Sequence, residues 1–202
     1  MNKLNLIKNS INESVKTKNK ILNDKNILQS INILSDKITK SILKGGKLLI
    51  CGNGGSAADA QHLAAELLVR LRPHINRSSI PALSLATDTS SITACGNDFH
   101  FDEIYSRVIE SLGQKNDILM CISTSGNSKN IINAIKVANK KGIETVCLTG
   151  GNGGKLKKLS KNLLIIPSKI TARIQESHIM IGHIMMELIE DALLVENYAK
   201  KI

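Results

Sequence analysis

Leu48-Leu49-Ile50-Cys51-Gly52-Asn53-Gly54-Gly55-Ser56 is an apolar run that stops at a glycine-rich turn. A helical pattern follows from 56 to 70. The order is strand, loop, helix. Glycines let a backbone approach a ligand closely, and the free N–H groups of a helix start attract anions. Ser56 suits an N-cap, with Asp59 three residues later as in a capping box. His62 and Glu66 lie four residues apart, so they share one face of this helix and can both point at what the loop binds.

The same alternation continues outward. Apolar residues recur at Leu4, Ile7, Ile11, Val15 and Leu22, then at Ile27, Leu28, Ile31, Leu34, Ile38 and Ile42. These spacings predict two amphipathic helices, the second ending at Gly45-Gly46. After position 46, strands are expected at 47–51, 81–85, 117–122, 144–149 and 162–167. Helices are expected at 56–70, from Thr87-Asp88 to 95, at 101–112, 129–141 and 171–199. Gly96-Asn97-Asp98 reads as a turn. Alternating strands and helices require right-handed crossovers and a mostly parallel sheet covered on both faces. One α/β domain over 1–202 follows, with its first 45 residues available to clasp the sheet or a partner subunit.

The composition narrows the classes. The chain has 202 residues and is 42% hydrophobic, enough for a substantial core. No apolar run reaches the ~20 residues of a membrane span. The opening Met1-Asn2-Lys3-Leu4-Asn5 lacks an apolar leader core, which predicts a cytoplasmic protein. Net charge is +10, but the lysines are scattered and the aromatics are two Phe and two Tyr. A nucleic-acid groove needs clustered charge and stacking rings, so a solvated basic surface accounts for the charge. Cys51, Cys95, Cys121 and Cys147 form no CxxC pair and read as small core thiols.

Ser123-Thr124-Ser125-Gly126-Asn127-Ser128 puts four hydroxyls at a helix start, beyond what capping requires. That density suits a phosphate monoester. No Gly-Lys-Ser/Thr ends the loop and the Gly52 turn is not GxGxxG, which disfavours nucleotide hydrolysis and a dinucleotide site. In the last helix Gln175 and His183 are about 80° apart and about 12 Å along the axis, so both can border one cleft. His178 is about 140° round from His183, so one of these two histidines is structural or faces another subunit. His74 and His100 read as surface residues.

Cys51–His62, Gly96-Asn97-Asp98, Ile122–Ser128 and Ala172-Arg173-Ile174-Gln175-Glu176-Ser177-His178 together resemble the sugar isomerase (SIS) domain family, and within it the phosphoheptose isomerases. The resemblance covers nearly the whole chain. It implies a three-layer sandwich, a five-stranded parallel sheet flanked by helices, with two extra N-terminal helices used in a homotetramer. Active sites would lie between subunits. The implied reaction converts sedoheptulose 7-phosphate to D-glycero-D-manno-heptose 7-phosphate, a step toward the heptose of lipopolysaccharide or other surface glycans. Asn53, Gly54, Gly55, Glu66, Asn97, Asp98, Ser123, Thr124, Ser125, Ser128 and Gln175 would contact substrate. Glu66 and His183 would be the acid–base pair. His62, Glu66, Gln175 and His183 would ligate one zinc per subunit. Val69 stands before Arg70 where many members carry glycine, and 71–76 departs from the commoner aromatic-containing segment.

The residue types suit that chemistry. Moving a carbonyl from C2 to C1 takes a proton from one carbon and returns one to its neighbour through a cis-enediol, work for a carboxylate and an imidazole. Other readings stand beside it. Some relatives of this fold are non-catalytic and bind the replication initiator; others sense sugar phosphates or isomerise arabinose 5-phosphate. The first of these lack the acid–base pair, whereas Glu66 and His183 are both present here.

Overall fold

The structure is a computed structural model and describes residues 2–200. Helices α1 (Lys3–Leu22) and α2 (Lys25–Leu43) come first. Asn2 and Asp24 cap them: Asn2 accepts from Leu4 N–H, and Asp24 accepts from Asn26 and Ile27 N–H. Gly45, at φ 80°, then turns the chain into β1 (Leu48–Gly52). Next come α3 (Gly55–Ala65), β2 (Ala82–Ser84), α4 (Thr89–Asp98), α5 (Ile104–Leu112), β3 (Ile118–Ser123) and α6 (Lys129–Lys140). The chain closes with β4 (Glu144–Gly150), β5 (Asn162–Ile166) and α7 (Thr171–Val195).

The described residues form one five-stranded, all-parallel sheet in the order β2-β1-β3-β4-β5. Register sets Cys51, Cys121 and Cys147 side by side on adjacent strands. Every residue of β1 and β3 is buried, as parallel strands covered on both faces require. One face packs Leu48, Ile50, Met120 and Ile122 against α2, α3 and α7. The other packs Leu49, Leu119 and the three cysteines against α4, α5 and α6. This is the expected three-layer sandwich. Ile38 and Ile42 of α2 are wholly buried, and each such side chain contributes about 1.5–3 kcal/mol.

The two N-terminal helices differ in burial. α2 lies on the sheet. α1 buries only Thr17 and Ile21, and leaves Leu4, Ile7, Ile11 and Val15 exposed.

Three expected boundaries are corrected. The helix foreseen at 56–70 is not uniform: after α3, Glu66–Arg70 forms a π-helical turn. Gly96, Asn97 and Asp98 are not a turn but the last residues of α4. α7 ends at Val195 rather than 199.

The chain reverses its direction across the sheet between β1 and β3. In such sheets ligands bind at the carboxyl ends of the strands where that reversal occurs. The loops after β1 and β3 therefore lie side by side there.

Candidate active site

Gly52 makes the β1–α3 turn possible: a Cβ on it would lie 2.4 Å from the Ser56 carbonyl oxygen. Gly54, at φ 56°, is the N-cap of α3 and supplies no side-chain bond. Ser56 is therefore not the cap but a buried first-turn residue. Asp59 forms no capping box, because the helix starts before Ser56. Its Oδ2 is buried with no hydrogen-bond partner among the described residues. Burial pushes its carboxyl above the usual range, and the nearby His62 and His183 pull against that rise.

α3 and α7 bring the reactive groups together. A Cβ on Gly182 would lie 2.6 Å from Leu63 Cδ1, so only glycine lets the helices meet this closely. His183, next in sequence, then places Nε2 2.8 Å from His62 Nε2, with the rings edge to face. Glu66 Oε1 lies 3.1 Å from His62 Nε2. His62, Glu66 and His183 are the one group of three or more His, Cys, Asp or Glu among the described residues whose ligand atoms lie within 4.8 Å of one another.

The loop after β3 completes the floor. Ser123 Oγ is 3.3 Å from Ser128 Oγ, and Ser125 Oγ accepts from Asn127 N–H at 3.2 Å. Ser128 is the N-cap of α6, yet its side chain makes no cap bond. Neither α3 nor α6, the helices that start beside this site, has a side-chain bond from its N-cap residue, although Ile131 N–H in the first turn of α6 donates to Asn130 Oδ1 at 2.9 Å. Such ends hold anions. A reciprocal amide pair, Asn53 to Asn130 at 2.9 and 2.8 Å, ties the two loops together. The buried Tyr105 hydroxyl donates to the Gly52 carbonyl.

The remaining candidates separate. The Gln175 side chain lies on Gly55, with Nε2 2.9 Å from where a Cβ would stand, so it faces the β1 loop. Asn97 and Asp98 are exposed, and Asn97 donates to Asp98 at 2.8 Å. Among the described residues neither bonds to the His62 group. His178 is wholly buried, with Nε2 3.1 Å from the Thr149 carbonyl oxygen. Burial drives its pKa down to about 4. It is the structural histidine of the α7 pair. His74 and His100 are exposed.

Asn130, the buried one of three asparagines in α6, is absent from the residues expected at the site, and Asp59 is expected only as part of a cap. The signal for Asp59 was its place three residues before His62 on a helix already assigned to the site.

The SIS domain family model matches residues 11–150. A phosphoheptose isomerase of Sulfurimonas denitrificans is 50% identical over 185 residues, covering 91% of this chain and 93% of that protein. The chain belongs to the SIS domain family, among its phosphoheptose isomerases. It is an enzyme, a sugar-phosphate isomerase. A phosphoheptose isomerase of Aneurinibacillus thermoaerophilus is 46% identical over 187 residues, covering 93% of each. The solved phosphoheptose isomerase structure from Francisella tularensis superposes with a TM-score of 0.90 at 34% identity, covering 95% of this chain and 100% of that one. The one from Neisseria gonorrhoeae gives 0.85 at 38% identity, covering 93% and 98%.

Two imidazole nitrogens and a carboxylate oxygen converge in this isomerase, the donor types and number that a catalytic zinc takes from a protein. The donor set fits the metal expected from the sequence.

Proposed function

We propose that this enzyme converts sedoheptulose 7-phosphate to D-glycero-D-manno-heptose 7-phosphate, in the cytoplasm, for the heptose of a surface glycan. The observation that carries the reading is the meeting of Glu66 and His183 beside His62, at the carboxyl end of β1. Relatives named phosphoheptose isomerase over nearly the full chain support the substrate class.

The phosphate lies on the 123–128 loop, held by Ser123, Thr124, Ser125 and Ser128 with the free N–H groups of α6. Asn53, Gly54 and Gly55 border the sugar, and Gln175 reaches it from α7. One of Glu66 and His183 takes a proton from C1 of the ketose. The carbon–hydrogen electron pair becomes the double bond of a cis-enediol. The C2 carbonyl pair moves onto O2, which gains a proton. The other group delivers a proton to C2 as the C1 hydroxyl gives up its own. Two protons leave, from C1 and O1, and two arrive, at O2 and C2, so the aldose forms with no net change in atoms or electrons. His62, Glu66, Gln175 and His183 would hold zinc. Bound there, it supplies Lewis acidity toward the enediolate oxygens.

The whole chain acts as one unit, and residues 1–45 assemble a homotetramer. The exposed apolar stripe of α1 supports this, since faces of that kind mark interfaces. Leu68, Val69, Ile184 and Leu188 are also exposed beside the site. A neighbouring subunit would cover them, and exposed Asn97 and Asp98 would meet substrate across such a boundary.

The test is incubation with sedoheptulose 7-phosphate followed by NMR. A new aldose C1 signal at the expense of the ketose supports the reading. No conversion of this ketose, with turnover of arabinose 5-phosphate's ketose partner instead, would replace it.

A further inference from the structure

The π-helical turn that carries Glu66 is held from outside the helix. The holder is Arg77, from the loop that follows. Its side chain is fully buried, as is that of Glu190 on α7. Arg77 Nη2 donates to the Glu66 carbonyl at 2.8 Å. Nη1 donates to the Leu67 carbonyl at 2.9 Å and to the Ser78 carbonyl at 3.0 Å. Nε donates to Glu190 Oε1 at 2.6 Å. The second oxygen of Glu190 accepts from Arg72 Nε at 2.6 Å, and Arg72 also pairs with Asp191. Ile80 N–H adds a bond to the Leu67 carbonyl at 3.1 Å.

Stability alone does not call for this cluster. A buried ion pair is often replaceable by apolar residues without loss, because desolvating the charges costs about what their attraction returns. What a guanidinium does that an apolar group cannot is donate several N–H bonds in a fixed plane. Here those bonds go to two consecutive carbonyls of the turn that carries Glu66. π turns recur at functional sites because the extra residue re-aims the side chains around it. Glu66 opens this turn, and its carboxylate meets His62.

We propose that Arg77, fixed in place by Glu190, is a positioning residue: it holds the π turn so that the Glu66 carboxylate stays aimed at His62 and His183. This rests on the reading of Glu66 as one of the acid–base pair. Arg77 touches neither substrate nor the reacting atoms. It acts through the backbone of Glu66, and a displacement there on the order of 1 Å is enough to cost a large factor in rate. Lysine cannot replace it, because one ammonium point cannot span Glu190 and the carbonyls of Glu66, Leu67 and Ser78 together.

The experiment is a cycle between Glu66→Gln and Arg77→Lys in the full-length chain. Arg77→Lys alone should lower kcat about 10- to 100-fold and leave KM within about twofold. In the Glu66→Gln background the same change should cost no further kcat, since both act at one point. The paired change Arg77→Met with Glu190→Met removes both buried charges at once, keeps Arg72 on Asp191, and should behave as Arg77→Lys does. It decides the matter if the lysine variant does not fold. A folded variant with parental kcat, or equal losses in both backgrounds, overturns the proposal. So does failure of both variants to fold, which would make the cluster a requirement of folding. Failure of the Glu66 reading looks different: Glu66→Gln by itself then keeps its turnover.

Discussion

Gly182 of α7 packs directly on Leu63 of α3, with no space between them for even a methyl group. That contact sets the distance between the two helices. It thereby sets the 2.8 Å approach of His62 and His183, the residues beside each of them. Gly182→Ala should push the wholly buried Leu63 aside or part the helices, at a cost of about 1–3 kcal/mol. Turnover should fall more than melting temperature does. A variant with parental kcat and lowered stability would show that the spacing has slack.

Ser123 and Ser125 test the phosphate loop. Ser123 is buried beside Ser128, while Ser125 is exposed. Changing both to alanine should raise KM for the sugar phosphate at least tenfold, since each hydrogen bond to a charged group contributes about 1.5–3 kcal/mol. Circular dichroism should stay the same. An unaltered KM would move the phosphate elsewhere.

The β/α order and the two loops were legible in sequence because both rest on local signals: apolar runs ending in Gly52 or Ser123, with helical spacing after each. The meeting of His62 with His183 was expected from the family resemblance alone, and no local signal in the chain carries it. It depends on Gly182, whose meaning appears only when Leu63 stands opposite. The π turn was hidden for the same reason, since 56–70 has unbroken helical spacing and the widening at Glu66 is held by Arg77 from the next loop. Sequence geometry did separate His178 from His183, because both sit on one helix and their angle is fixed by its pitch.

His178 gives the fold a pH dependence of known sign. Its folded pKa of about 4 lies below the ordinary 6.5. Between those values the unfolded chain binds a proton that the native chain does not, so stability falls as pH drops from 6.5 toward 4. The loss from this group is about 3 kcal/mol by pH 4. Urea unfolding of the parent and of His178→Gln, at pH 7 and pH 4.5, checks it. The variant should lose less stability between the two pH values, and an equal loss in both would remove His178 as the cause.

α1 tests the assembly. Ile7 and Ile11 are 54% and 58% exposed on one stripe. Placing glutamate at both positions should leave α2 and the sheet folded but block the burial of that stripe. Light scattering should then give a mass below that of the parent, for which the proposed assembly requires a tetramer. A parent that is itself a monomer at micromolar concentration would contradict the proposed assembly.

The most direct measurement is the turnover of Glu66→Gln and His183→Gln with sedoheptulose 7-phosphate, alongside the zinc content of each. Loss of one acid–base group lowers rate by about 100- to 10,000-fold. Both variants should lose that much, keep the parent's mass and melting behaviour, and still bind the sugar phosphate. Each should also bind less zinc, because the same atoms that would move the proton lie within 4.8 Å of one another in the metal-fitting group. If either variant keeps activity within about threefold of the parent, far short of that penalty, its residue is not part of the acid–base pair and the account of the site is wrong.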